Sequence, residues 1–183
     1  MLAAAIDGER SGSVSFAIDR EAGNIRCTGT LRSGAGRGTC HFVSSRTFEQ
    51  GLKARHLSPK SREDLFALAL VDATLARADA LKQAGVAPDN AGDLIAAAAL
   101  DLSGGYASDL RRAGLRIEAF DDLIACRALG IDAAFVRGLA DAGYDDLSAQ
   151  QAISMKAVGV TPAYARAVNA AARRSTKTGG TVR

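Results

Sequence analysis

Tryptophan is absent from this 183-residue chain, aromatic residues make up only 5% of it, and it holds three prolines and two histidines. A core built from such a composition is aliphatic and rich in Ala. No apolar run reaches the ~18 residues of a membrane span, so no membrane insertion is expected. The start, Met1-Leu2-Ala3-Ala4-Ala5-Ile6-Asp7, lacks the basic region and long apolar stretch of a signal peptide. Cysteine is scarce too. Cys27, Cys40 and Cys126 are an odd number with no CxxC pair, which argues against a disulfide scaffold and against a zinc site. What remains is 48% hydrophobic and 23% charged, a globular rather than a disordered balance.

Catalytic signatures are missing as well. There is no Ser/His/Asp order, no metal spacing and no cofactor motif. The expectation is a non-enzyme that needs no cofactor and no metal.

The net charge of +3 is unevenly spread. Residues 1–60 carry a net +4, residues 61–172 a net −5 and residues 173–183 a net +4. A basic front and tail attract anions without choosing among them. An acidic middle works against a long nucleic-acid footprint. The tail is polar and Gly-rich, and is expected to be disordered.

The front segment, residues 1–60, reads as a small antiparallel β-meander and a short helix. Ser13 to Ile18 and Ile25 to Leu31 alternate in polarity, and Thr39 to Val43 follows as a third strand. Gly34, Gly36 and Gly38 lead into a strand rather than a helix, so they read as a hairpin loop and not a phosphate cradle. With Ser33 to Gly38 as that loop, Arg32 pairs with Thr39 and Cys40 stands opposite Leu31. Cys27 then lies roughly 13 Å away along the strand, beyond disulfide reach. The cysteines are therefore read as small apolar side chains, and unpaired thiols suit a reducing cytosol. His41 and Cys40 point to opposite faces and make no site. Arg46 to His56, with Phe48 and Leu52 at helical spacing, is the short helix.

Residues 61–172 contain an internal repeat. Gly85, Gly114 and Gly143 recur every 29 residues, and in that register four units begin at Ser61, Asn90, Ala119 and Ser148. Three residues later stand Asp64, Asp93, Asp122 and Gln151, close to a capping box. Apolar columns follow. A break at Asp72, Asp101, Gly130 and Gly159 precedes Thr74, Ser103, Asp132 and Thr161, all suited to cap a second helix. That helix carries Leu81, Leu110, Leu139 and Val168, with Ala84, Ala113, Ala142 and Ala171 for close packing. Helices this short are marginal alone and need neighbours. The fold class is α+β, mainly α: a small antiparallel β-meander followed by four 29-residue αα-hairpin repeats in a short solenoid-like array.

One column is aromatic: Tyr106, Phe135 and Tyr164, with Arg77 in the first unit. Arg137 and Arg166 lie two positions on. Core packing and a solvated face explain these columns most simply. If the repeat binds a partner, Arg137, Arg166, Tyr106 and Tyr164 are the candidate residues.

Two resemblances follow. The segment Asp19-Arg20-Glu21-Ala22-Gly23-Asn24, with Gly29, Gly34-Ala35-Gly36-Arg37-Gly38 and Phe42, looks like a strand-and-glycine segment that precedes helical-hairpin repeats in many bacterial proteins. Gly143-Tyr144, Leu147-Ser148 and Gly159-Val160-Thr161-Pro162-Ala163-Tyr164 are similar to the repeats themselves. Such regions occur beside membrane metallopeptidases of the beta-lactam-sensor type and in uncharacterised chains. The resemblance covers nearly the whole chain and implies an accessory sensing or interaction region. It does not carry the peptidase, since there is no HExxH. It also allows an extracytoplasmic position. Leu129-Gly130-Ile131 and Val158-Gly159-Val160 resemble helix-hairpin-helix nucleic-acid modules, but Asp132 and Thr161 replace their second Gly, and Asp72 and Asp101 replace the first in other units.

The favoured function is a non-catalytic interaction or sensing module binding a protein or peptide. The alternative is a nucleic-acid-associated protein using helix-hairpin-helix-like units and the basic front and tail. Lys156, Arg166, Asn169 and Arg173 make the last hairpin partly polar, which favours a monomer.

Overall fold

Alternation of apolar and polar residues produces the strands. In a computed structural model that describes residues 12–178, β1 (Gly12–Arg20), β2 (Gly23–Arg32) and β3 (Ala35–Ser44) form an antiparallel sheet in the order β1-β2-β3. Val14, Phe16 and Ile18 pair with Gly29, Cys27 and Ile25, which pair in turn with Gly38, Cys40 and Phe42. These residues therefore share one face. The expectations for Met1–Asp7 and for the tail beyond Thr178 lie outside the described residues.

The β2–β3 turn corrects the cysteine reading. Ser33 and Gly34 both adopt positive φ, 47° and 81°, the conformation of a two-residue type I′ turn. Arg32 thus pairs with Ala35 rather than Thr39, and Gly36 and Gly38 belong to the strand. The shift of four residues carries Cys40 from Leu31 to Cys27, and the two are joined as a disulfide with Cα atoms 4.1 Å apart. Counting outward from the turn, Cys27 and Cys40 form a non-hydrogen-bonded pair, where strands approach most closely. Only Cys126 is a free thiol among the described residues. The inference to a reducing cytosol rested on unpaired thiols and loses that basis. Gly29 and Gly38 face each other in the same ladder. A Cβ on Gly29 would lie 2.3 Å from the Arg37 carbonyl oxygen, so the close approach requires glycine.

The helices keep the 29-residue period. α1 spans Arg46–Ala54, α2 Arg62–Leu70, α3 Leu75–Gln83, α4 Ala91–Ala99 and α5 Gly104–Arg112. α6 is Phe120–Ala128, α7 Ala133–Ala140, α8 Ala149–Ala157 and α9 Pro162–Thr178. Residues 173–178, expected to be disordered, continue α9. Ser61 and Ser148 form complete capping boxes with Asp64 and Gln151, and Asn90 accepts the Asp93 N–H at 3.1 Å. Ala119 has no side-chain acceptor, and there the Asp122 carboxylate accepts the Ala119 N–H at 3.3 Å. A cap of this kind contributes about 1 kcal/mol.

Each hairpin turns on a left-handed residue: Asp72, Asp101, Gly130 or Gly159. The following N–H, of Ala73, Leu102, Ile131 or Val160, bonds the carbonyl five residues back at 2.7–2.9 Å. This satisfies the last helical carbonyls. α1 obeys the same rule. Ser45 accepts the Phe48 N–H at 3.3 Å, His56 has φ 62°, and the Leu57 N–H bonds the Leu52 carbonyl. Ser45, Phe48, Leu52 and Leu57 each stand 29 residues before Thr74, Arg77, Leu81 and Val86. The second helix of the repeat therefore occurs five times and the first four times.

The chain divides into two compact units. One holds the residues up to Leu75 with Asn90–Ile95, the other Ala76–Asp89 with the residues from Ala96 onward. In the first, Phe42 and Phe66 meet edge to face at 5.5 Å, Arg62 donates to the Phe42 carbonyl, and Arg20 pairs with Asp72. Glu21 accepts the Leu75 N–H. In the second, one core runs from Leu81 to Ala165, with Leu102, Leu110, Leu123, Ile131 and Leu139 essentially inaccessible. α6 packs on α8, and α7 on α5 and α9. Among the described residues no helix is long and apolar enough to cross a membrane.

Candidate functional site

Successive hairpins of the second unit are joined by a repeating set of contacts. The Tyr106 hydroxyl donates to the Ile131 carbonyl at 2.6 Å. Arg77, 29 residues earlier, donates to the Leu102 carbonyl, the equivalent acceptor. Arg127 lies 5.2 Å over the Tyr106 ring, and Lys156 lies 4.6 Å over the Phe135 ring. These cation–π contacts again repeat at 29 residues, each worth about 0.5–1 kcal/mol. A third column reaches backward: Arg111 bonds the Ala84 carbonyl, and Asn169 bonds the Ala142 carbonyl.

The aromatic column is thus largely a device for stacking. Tyr106 is half-buried, with its hydroxyl and one ring face engaged by the chain itself. Burial pushes its phenol well above the ordinary tyrosine range, Cys126 and Asp132 add to the rise, and Arg127 opposes it. Phe135 is buried. Tyr164 differs. It is 60% exposed, although its N–H is capped by Thr161 at 3.1 Å. Arg137 on α7 and Arg166 on α9 are exposed, as a solvated face requires. Of the four candidate residues, the structure brings Tyr164 and Arg166 together on one helix, leaves Arg137 on the preceding hairpin, and commits Tyr106 to the interior.

The last hairpin exposes what the others bury. Phe135 and Leu139 on α7, and Ala142 in the turn that follows it, are 8%, 0% and 5% exposed. Their counterparts on α9 are Tyr164, Val168 and Ala171, with Val168 at 42% and Ala171 also exposed. The spacing i, i+4, i+7 places these three in one stripe. Pro162, Ala165 and Asn169 form a different stripe. Pro162 lies against Gly138, Ala165 is buried, and Asn169 bonds the preceding hairpin. Val158, at the end of α8, is 79% exposed. The apolar columns were visible in the sequence. In the sequence the last hairpin is partly polar through Lys156, Arg166, Asn169 and Arg173; the structure shows in addition that Tyr164 and Val168 are exposed.

Other candidate chemistry is already committed. The N–H groups of the hairpin turns bond helical carbonyls, and the Asp132 and Thr161 side chains occupy the first turns of α7 and α9. They are not presented to a phosphate. A shallow depression lined by Ser58, Lys60, Asp64 and Asn90 holds a carboxylate bonded to the Lys60 and Ser61 N–H groups and an amide oxygen bonded to Asp93. Asp122 is buried, bonded to Ala119 and to the Gln150 side chain. Beside it, burial first and then the Asp122 charge push the Cys126 thiol up to about 11. That is the signature of an inert structural thiol rather than a nucleophile. Among the described residues, no three His, Cys, Asp or Glu side chains are grouped to hold a metal.

No family model, curated protein or solved structure matches the chain.

Proposed function

We propose that this protein is a non-catalytic interaction module that binds a protein or peptide partner through its helical repeat. The observation that carries the reading is the stripe Tyr164, Val168 and Ala171, exposed where the same columns are buried one hairpin earlier. Single exposed apolar residues need no explanation, but these three belong to a surface whose counterparts exist to receive a helix. Asp64, Asp122 and Asp132 act as helix caps and Arg77 and Arg111 as ties between hairpins, which supports a scaffold rather than a reaction centre. A sensing or interaction role also accords with the resemblance to bacterial hairpin repeats.

The test is affinity capture with the tagged chain, with and without nuclease, analysed by mass spectrometry. The expected result is a stoichiometric protein that persists after nuclease and through moderate salt. Recovery of nucleic acid alone, lost steeply as salt rises, would overturn the proposal in favour of the basic front and tail.

A further inference from the structure

We infer that the free edge of β1 pairs with β1 of a second copy of this chain, joining two three-stranded sheets about a two-fold axis. The pairing goes beyond the interaction-module reading and does not depend on it.

The open edge follows from the hairpin register. Cys27 and Cys40 form a non-hydrogen-bonded pair, so the backbone groups of Cys27 are directed to β1, where Phe16 is its partner. The same alternation turns the N–H and C=O groups of the even-numbered β1 residues towards β2. Those of Ser13, Ser15, Ala17 and Asp19 face outward, and the strand is exposed from Gly12 to Ala17. The opposite edge is engaged: the Phe42 carbonyl on β3 accepts from Arg62. Sheets protect a free edge with lysine, proline, a bulge or an inward charge. β1 pairs with β2 without a bulge and carries no lysine, proline or charge before Asp19.

The occupant follows from the symmetry of the strand itself. An antiparallel copy centred on Phe16 sets Ser13 opposite Asp19 and Ser15 opposite Ala17 as hydrogen-bonded pairs. Every outward N–H and C=O from Ser13 to Asp19 then finds a partner. Val14 faces Ile18, and Phe16 faces its own copy, in the non-hydrogen-bonded positions where side chains approach most closely. Val14 and Phe16 are 39% and 51% exposed in the single chain, and in this register they meet only apolar side chains. The charges are compatible as well. Asp19, which accepts from Asn24, meets Ser13, and Arg20, paired with Asp72, meets Gly12. A slip of one residue opposes outward groups to inward ones. A slip of two sets Arg20 against Val14, or in the other direction leaves Asp19 outside the paired strand. An edge complementary to itself closes at two copies rather than growing. The polarity that favours a monomer belongs to the last hairpin, a different surface. A dimer carries two copies of the repeat, so a ligand bound by both is held with avidity.

The test is sedimentation equilibrium of the full chain across the micromolar range. One strand pair is a small interface, so a dimer with a Kd on the order of 10 μM is expected. Ala17→Pro removes an outward N–H that the sheet does not use, and is expected to weaken the dimer by about tenfold or more. Ser13→Lys sets a lysine opposite Asp19 of the second copy and is expected to tighten the dimer by about two- to tenfold, an advantage lost at high salt. Ser13→Asp opposes like charges and is expected to weaken it by a similar factor. Far-UV circular dichroism and an intact Cys27–Cys40 bond confirm that each variant is folded, and the two Ser13 variants decide the question should Ala17→Pro not fold. A monomer throughout, indifference to Ala17→Pro, or a shift in the same direction by both Ser13 substitutions would overturn the inference. So would association that continues past two copies. A dimer that Val168→Glu dissociates and Ala17→Pro does not would overturn it by placing the contact on α9.

Discussion

The same repeat position carries different energies in an inner and in the last hairpin, and the difference is measurable. Leu139 on α7 is fully inaccessible, and Val168, its counterpart on α9, is 42% exposed. Leu139→Ala removes three buried carbons, about 2.4 kcal/mol at ~0.8 kcal/mol per buried CH2. A residual cavity of roughly 50 Å3 adds about 1.2 kcal/mol at ~24 cal/mol per Å3. The expected cost is therefore about 3.5 kcal/mol. Val168→Ala removes two carbons that are little more than half-buried and leaves no enclosed cavity, for about 1 kcal/mol. The assay is urea unfolding followed by far-UV circular dichroism, with hydrogen exchange to place the loss in α7 or α9. In a chain of this size the first substitution is expected to lower Tm by roughly 7–14 °C and the second by roughly 2–4 °C. Equal costs, or a larger cost at Val168, would show that the outer face of α9 is not solvent-exposed, and would refute the stacking argument.

Four further outcomes follow from named residues. Tyr106→Phe is expected to cost about 1–2 kcal/mol, because it strips the Ile131 carbonyl of a donor. Tyr164→Phe, whose ring is exposed, is expected to stay within about 0.5 kcal/mol in the same urea experiment. Non-reducing peptide mapping is expected to recover Cys27 linked to Cys40, and reduction to destabilise the sheet by about 3 kcal/mol for a closed loop of this length; free thiols at both positions would contradict the two-residue turn. Burial raises the folded Cys126 thiol from the ordinary thiol range to about 11. The native state thus holds its proton more tightly than the unfolded state. The associated stability is fully present below about pH 9 and is lost as pH rises towards 11. Cys126→Ala is expected to flatten stability against pH across that window, and an unchanged slope would assign the loss to other groups.

Much of the architecture was legible because it is governed locally. The 29-residue spacing, the caps at Ser61, Asn90 and Ser148, and the breaks at Asp72, Asp101, Gly130 and Gly159 all depend on neighbours within a few residues. A helix end needs a side-chain acceptor or a left-handed residue at a definite place, and the sequence states both. Even the half-unit of α1 was present in the columns Ser45, Phe48 and Leu52.

The hairpin register was less legible. Three glycines suggested a wide loop, whereas positive φ at Ser33 made a two-residue turn, and a shift of four residues decided whether Cys27 and Cys40 meet. The candidate site was divided in the same way. Composition and periodicity alone picked out Tyr106 and Tyr164 as equals, two units apart in the same column. Only the packing separated them, by engaging the Tyr106 hydroxyl and ring with the next hairpin and leaving Tyr164 in solvent. A repeat writes the same residues into every unit, so the sequence determines the helices, their caps and which stripe is apolar. Whether a stripe is core or surface depends on what lies against it, and that is a property of the stacked array.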